Sequence, residues 1–263
     1  MIQVTAKILE KEEVAPDHYR LALDAPLISK DASPGQFIHV NITSQYMPLL
    51  RRPFSIHRIT PFGIEILFRI VGTGTKLLSE KRQGDELDII GPLGHGFSIK
   101  NNAFTAILVA GGVGVAPLFA LAERLRQFTE VRILIGSKTK TGVICLEKFE
   151  ALGIDVQVAT DDGSLGIKGV ATDLLEDFLA TSASPQLPIY GCGPMPMLRI
   201  LSEIAHLYSS PCQISLEANM ACGVGACLGC VAKIANPHSP SHFEYKRVCV
   251  DGPVFDAREI LWR

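Results

Sequence analysis

Ala106-Ile107-Leu108-Val109-Ala110-Gly111-Gly112-Val113-Gly114-Val115-Ala116-Pro117 is a short apolar run, a glycine turn and a proline placed at the first turn of a helix. It predicts a buried strand delivered straight into a helix. The string is not the G-x-G-x-x-G dinucleotide fingerprint, because Pro117 stands where the third glycine should be. A turn built from Gly111, Gly112 and Gly114 still lets a dinucleotide backbone approach closely. The alternative is a tight βα turn with nothing bound.

Toward the C-terminus, strand-like segments at 131–135, 155–159 and 188–190 alternate with helical patterns at 117–128, 146–152, 171–178 and 194–208. That alternation implies βα units on a parallel sheet, an α/β nucleotide domain over residues 99–210. Its last strand ends in Gly191-Cys192-Gly193-Pro194, where a small thiol between glycines leaves room for a flat ring. Cys192 is therefore the candidate catalytic residue and Gly193 a candidate cofactor contact; a buried cysteine in a βα turn is the plain alternative.

Toward the N-terminus, residues 1–98 break into short β-type runs at 2–9, 19–23, 36–42, 54–58, 64–70 and 86–90, separated by Pro, Gly and Asp. Such spacing predicts a small antiparallel β-barrel, interrupted by one helix at 76–82. Two of its strings suit phosphate. In Arg51-Arg52-Pro53-Phe54-Ser55, a guanidinium before a strand can fork onto a pyrophosphate, Pro53 stiffens the entry, Phe54 offers an aromatic face and Ser55 a hydroxyl. In Arg69-Ile70-Val71-Gly72-Thr73-Gly74-Thr75, a glycine-rich loop runs into a helix and exposes N–H groups at its positive end. A basic turn and a routine N-cap at Thr75 are the alternatives.

Residues 211–263 are rich in Cys and Gly and lack long periodic segments. Cys222, Cys227, Cys230 and Cys249 read C-x4-C-x2-C with a fourth cysteine further on, the thiolate spacing of a plant-type [2Fe–2S] cluster. Small residues between them suit a loop wrapped closely round a cluster. Structural zinc favours C-x2-C pairs, of which only one exists here; two disulfides are the other alternative. An odd total of seven cysteines, no visible signal peptide and no apolar run of spanning length point to a reduced, cytoplasmic protein. A formal net charge of −2 offers no footprint for nucleic acid or an anionic membrane. His39, His57 and His95 are read as packing or hydrogen-bonding groups, and His206, His238 and His242 show no metal spacing.

With these residues in view, the first two modules resemble the ferredoxin-NADP reductase superfamily. The strings Leu216-Glu217-Ala218-Asn219-Met220-Ala221-Cys222-Gly223 and Arg247-Val248-Cys249-Val250-Asp251-Gly252-Pro253 extend the resemblance, over essentially the whole chain, to the electron-transfer subunits of dihydroorotate dehydrogenase B. The resemblance implies that Arg52, Pro53, Phe54, Ser55, Arg69, Ile70, Val71, Gly74 and Thr75 hold FAD, that Gly111, Gly112, Gly114, Cys192 and Gly193 meet NAD, and that the four cysteines hold [2Fe–2S]. It also implies a flavoprotein of UMP biosynthesis that takes electrons released as dihydroorotate becomes orotate. The donor would be a catalytic (β/α)8-barrel subunit with its own flavin, in a heterotetramer of two copies each. Another flavin/iron–sulfur reductase, of the sulfide dehydrogenase or ferredoxin:NADP kind, is the alternative. Lys138, in Gly136-Ser137-Lys138-Thr139, is suited to a 2′-phosphate, so NAD over NADP rests on the resemblance. The gap before Cys249 carries an extra turn, Asn236-Pro237-His238-Ser239-Pro240, which bears on loop geometry.

Overall fold

The computed structural model describes residues 1–43, 47–99, 104–182 and 186–262. Among the described residues, strands β1 (Ile2–Ala15), β2 (His18–Asp24), β3 (Phe37–Asn41), β4 (Arg52–Thr60), β5 (Gly63–Arg69) and β6 (Glu86–Leu93) close into an antiparallel barrel, in the order β1-β2-β5-β4-β3-β6. Inward-facing Ile8, Leu21, Ile38, Val40, Ile56, Ile66 and Ile89 fill it. β1 runs further than its apolar pattern suggested because the charged stretch Glu10 to Glu13 is paired: the nearly buried Arg20 on β2 bonds Glu10 at 2.5 Å and Glu12 at 2.9 Å. Helix α1 (Pro26–Asp31), too short to show a periodicity, buries Ile28 in the barrel core. Helix α2 (Thr73–Glu80) begins before the expected 76, with Gly72 as its N-cap.

The second layer system is a parallel sheet wound on both faces. β7 (Thr105–Gly111), α3 (Ala116–Leu125), β8 (Glu130–Ser137), α4 (Leu146–Ala151), β9 (Asp155–Thr160), β10 (Ile167–Lys168), α5 (Ala171–Thr181), β11 (Ile189–Cys192), α6 (Met195–Leu207) and β12 (Cys212–Ser215) follow in order. Along β7, Ile107 and Val109 point into a core shared with α5 and α6, while Ala106, Leu108 and Ala110 point into one shared with α3 and α4. Two-sided burial is why this strand reads as unbroken apolar sequence. β7 lies between β8 and β11, so the order in which strands are added to the sheet reverses there, and the carboxyl ends of β7 and β11 flank the crevice where such sheets bind ligands.

The C-terminal segment has more regular structure than its sequence suggested. β13 (Val231–Ala235) and β14 (Phe243–Arg247) form a hairpin, and β15 (Val254–Asp256) returns to pair antiparallel with β12 at the edge of the large sheet. Among the described residues no helix is long and apolar enough to cross a membrane.

Candidate functional site

Three walls meet at one cavity of about 440 Å³, within the range of small-molecule sites. The barrel contributes Arg52, Pro53, Phe54, Ser55, Arg69, Val71 and Thr75; the nucleotide domain contributes Val113, Ala116 and Pro117; the chain leaving β12 contributes Ser215 to Met220. A larger cleft of about 770 Å³ lies elsewhere, between Ala32 to Pro34 and α3. It holds no glycine turn and no sequence-expected ligand residue, so the chemistry sits at the smaller cavity.

The first wall has the chemistry to seat an anion. Arg51 is tied to Asp88 through the aspartate side chain and, at 2.8 Å, its carbonyl, so of the two adjacent arginines it is Arg52 that lines the cavity, together with Arg69. A Cβ on Gly74 would meet Arg52 Nε at 3.1 Å, so the glycine admits the guanidinium beside the first turn of α2. The N–H groups of that turn have no carbonyl of their own helix to bond. Thr75 is not the N-cap: its hydroxyl accepts from the Val71 N–H at 2.8 Å and the Gly72 N–H at 3.1 Å, which shapes the loop. Phe54 is nearly buried against Phe68, with ring centroids 5.5 Å apart, so its ring belongs mostly to the barrel core. Ile70 lies beside this wall, outside the cavity lining.

The second wall is the pair of glycine turns at the ends of β7 and β11. They interlock: a Cβ on Gly114 would lie 2.3 Å from the Cys192 carbonyl oxygen and 2.7 Å from Gly193 Cα. Gly193 itself sits at φ +157 with its Cβ direction 2.9 Å from the Gly111 nitrogen. Cys192 stands just behind the cavity rather than on it; Ser215, which hydrogen-bonds the thiol, lines the cavity in its place. Burial pushes the Cys192 thiol far up, so it stays protonated at neutral pH. Gly111, Gly112, Gly114 and Gly193 shape the two turns without lining the cavity, whose surface here is Val113, Ala116 and Pro117.

Glu217, Asn219 and Met220 line the third wall. Sequence reasoning gave them no role on residue grounds, because no local pattern marks them. Glu217 is open to solvent at the cavity mouth, yet burial by the surrounding walls raises its carboxyl pKa.

Two residues past Met220 the cysteine loop begins. Gly223 (φ +69) and Gly225 (φ +84) turn it tightly, and Leu228 holds φ +58. The Cys222 thiol is raised by burial but drawn down more strongly by N–H groups of Val224, Cys227 and Ala226 and by the Cys227 thiol, to about 6. Burial and the adjoining Cys230 thiol push Cys249 up to about 12. The sulfurs thus stand as two pairs, Cys222 with Cys227 and Cys230 with Cys249. Among the described residues no three ligating side chains converge on one ion. A two-iron cluster takes two thiolates on each iron, and inward-turned N–H groups on sulfur suit it, so this donor set fits [2Fe–2S] better than a fourfold zinc site. The β13–β14 hairpin supplies the second pair: Val231 pairs with Arg247 at its base, and the Val248 N–H bonds the Cys230 carbonyl at 2.6 Å. The extra turn at 236–240 lies at the far tip, and the register from Val231 to Ala235 is unbroken.

His39, His57 and His95 each fasten one unit to another. Nδ1 of His57 bonds the Ala116 carbonyl at 3.0 Å, that of His95 the Val250 carbonyl at 2.7 Å, and that of His39 the Cys222 carbonyl at 3.2 Å. Asp162 and Ser164, by contrast, bond each other and the Lys140 N–H in a surface turn.

Comparison with known proteins agrees with this architecture. The family described as the iron-sulfur cluster binding domain of dihydroorotate dehydrogenase B matches residues 217–261, and the oxidoreductase NAD-binding domain matches residues 108–203. A dihydroorotate dehydrogenase B (NAD(+)) electron transfer subunit from Desulforamulus reducens is 40% identical over 98% of this chain and 97% of its own length. One of the same description from Caldanaerobacter subterraneus is 40% identical over 99% of both. Among solved structures, an NADH-dependent reduced ferredoxin-NADP oxidoreductase superposes with a TM-score of 0.85 at 29% identity, over 98% of this chain and 90% of that one. A ferredoxin reductase of carbazole 1,9a-dioxygenase, at 19% identity and a TM-score of 0.64 over 79% of this chain and 65% of that one, shares the fold.

Proposed function

The chain belongs to the family of dihydroorotate dehydrogenase B (NAD+) electron transfer subunits, and we propose how its residues divide that work. It is an oxidoreductase subunit of pyrimidine biosynthesis that transfers electrons to NAD+ as dihydroorotate becomes orotate, with FAD, [2Fe–2S] and NAD as its cofactors. When bound, the flavin and the cluster supply the exchange between two-electron nicotinamide chemistry and one-electron carriers.

The reading is carried by one observation: the segment from Ser215 to Met220 walls the cavity and runs directly into Cys222. Residues 1–98 bind the flavin. Arg52 and the first turn of α2, with Gly74 and Thr75, hold its diphosphate; Pro53 and Ser55 of β4 and Arg69 to Val71 shape the remaining wall. Residues 99–210 bind the nicotinamide dinucleotide at Gly111, Gly112, Gly114 and Gly193. A protonated Cys192, covered by Ser215, keeps the floor of that site small and uncharged. Residues 211–263 hold the cluster on Cys222, Cys227, Cys230 and Cys249. The partner is the catalytic dihydroorotate-oxidising subunit. We take it to be a (β/α)8 barrel with its own flavin, in a heterotetramer of two copies each, in the reducing cytoplasm where free thiols persist.

An anaerobic absorbance spectrum of the complex tests this. Dihydroorotate should bleach flavin and cluster bands, and NAD+ should restore them. Bleaching by NADH but never by dihydroorotate would move the chain to a ferredoxin:NADP-type reductase, the reading favoured by the 29% identical structure. Orotate formed by the isolated subunit would overturn the division of roles.

A further inference from the structure

His39 is fully buried on β3, directly opposite Pro53 of the flavin-side strand β4. Its Nδ1 faces the carbonyl of Cys222 at 3.2 Å, and a carbonyl can only accept, so Nδ1 carries the proton. Its Nε2 has no partner in hydrogen-bond geometry among the described residues. Gly223 completes the fit: a Cβ on it would lie 2.5 Å from His39 Nδ1. An apolar residue at position 39 would avoid the burial cost of an unpartnered nitrogen. That cost is offset only through the Nδ1–H bond.

We propose that His39 is a positioning residue, an imidazole on the strand beside the flavin motif that holds the Cys222 carbonyl and fixes the cluster loop against the barrel. One side chain then sets both the orientation of the first cysteine pair and its spacing from the flavin wall. This rests on the reading above that the barrel holds FAD and the four cysteines hold the cluster.

The test compares His39→Leu with His39→Asn in the assembled holoprotein; the side chains are similar in size, and only Asn can present an N–H near the Nδ1 position. The readouts are the rate of cluster loss to an iron chelator, the electron paramagnetic resonance line shape of the reduced cluster, and the rate at which NADH bleaches the flavin. His39→Leu is expected to lose its cluster about 10–100-fold faster, as outer-shell changes at metal sites do, and to broaden the line shape. His39→Asn should recover most of the resistance, and flavin bleaching should match wild type in both. Should the leucine variant fail to accumulate, His39→Gln, whose N–H sits one bond further out, takes its place with the same expectation. Equal chelator resistance in all variants, or equal loss in leucine and asparagine, overturns the role of His39. A wild-type protein lacking flavin or cluster bands would instead overturn the reading beneath it.

Discussion

Gly114→Ala tests the interlocked turns most directly. The added methyl would begin 2.3 Å from the Cys192 carbonyl oxygen and 2.5 Å from its carbon, against ordinary contact from 3.4 Å. Gly114 has no positive φ, so the whole effect is steric, and both neighbours are backbone that no rotamer can move. The two turns must separate by about 1 Å, the scale of misplacement that costs roughly a hundredfold when a reacting group is displaced. Overpacking a tight site of this kind costs about 1–3 kcal/mol of stability. The assay is steady-state NADH oxidation with ferricyanide, together with the flavin-to-cluster absorbance ratio. The expected result is kcat/KM for NADH lowered about a hundredfold with both prosthetic groups retained. Wild-type kcat/KM in a folded Gly114→Ala protein would refute the claim that these turns seat the nicotinamide.

Arg52→Lys should weaken FAD retention by about 10–100-fold, because a forked, charge-assisted contact becomes a point charge; gel filtration followed by flavin quantification checks this, and full retention would contradict the anion seat. Cys227→Ser should remove the cluster bands while NADH oxidation with ferricyanide persists, since the thiolate pairs lie outside the nicotinamide wall. Loss of both activities together would argue against separable sites. His57 gives a pH prediction. Burial, outweighing the Ala116 carbonyl bond, lowers its pKa to about 3. The unfolded chain therefore binds this proton from about pH 6.5 downward while the folded one does not, so stability falls by up to about 1.4 kcal/mol per pH unit until about pH 3. In urea melts across that range, His57→Phe, which can keep the contact with Phe119, should flatten the decline; an unchanged slope would show that His57 does not carry it.

What could be read in the chain was what local physics writes there. β7 was legible because burial on both faces demands a continuous apolar run, and the glycine turns because only a missing Cβ permits 2.3 Å approaches. The iron–sulfur character of the C-terminal segment was legible because ligation demands cysteines at known intervals. The β13–β14 hairpin was not, because β13 shows no alternation of apolar and polar residues and the alternation in β14, Phe243 to Lys246, has no buried face behind it. Glu10 to Glu13 hid a strand because their partners, Arg20 above all, lie elsewhere in sequence. The Ser215 to Met220 wall was invisible as a wall for the same reason: its meaning arises only where the barrel and sheet edges meet it. His39 read correctly as a hydrogen-bonding group, but its partner is 183 residues away.

The chain leaves the large sheet at Ser215 and re-enters it at Val254, and those two residues are register partners on adjacent strands. Everything between, the cysteine loop and its hairpin included, is an excursion whose two ends stand about 5 Å apart, the spacing of neighbouring strands. Topologically it is a cassette. A tight turn joining β12 to β15 would excise it and leave a closed barrel and a parallel sheet ending in an antiparallel hairpin, which makes the acquisition or loss of a redox centre a single insertion event rather than a redesign of the enzyme that carries it.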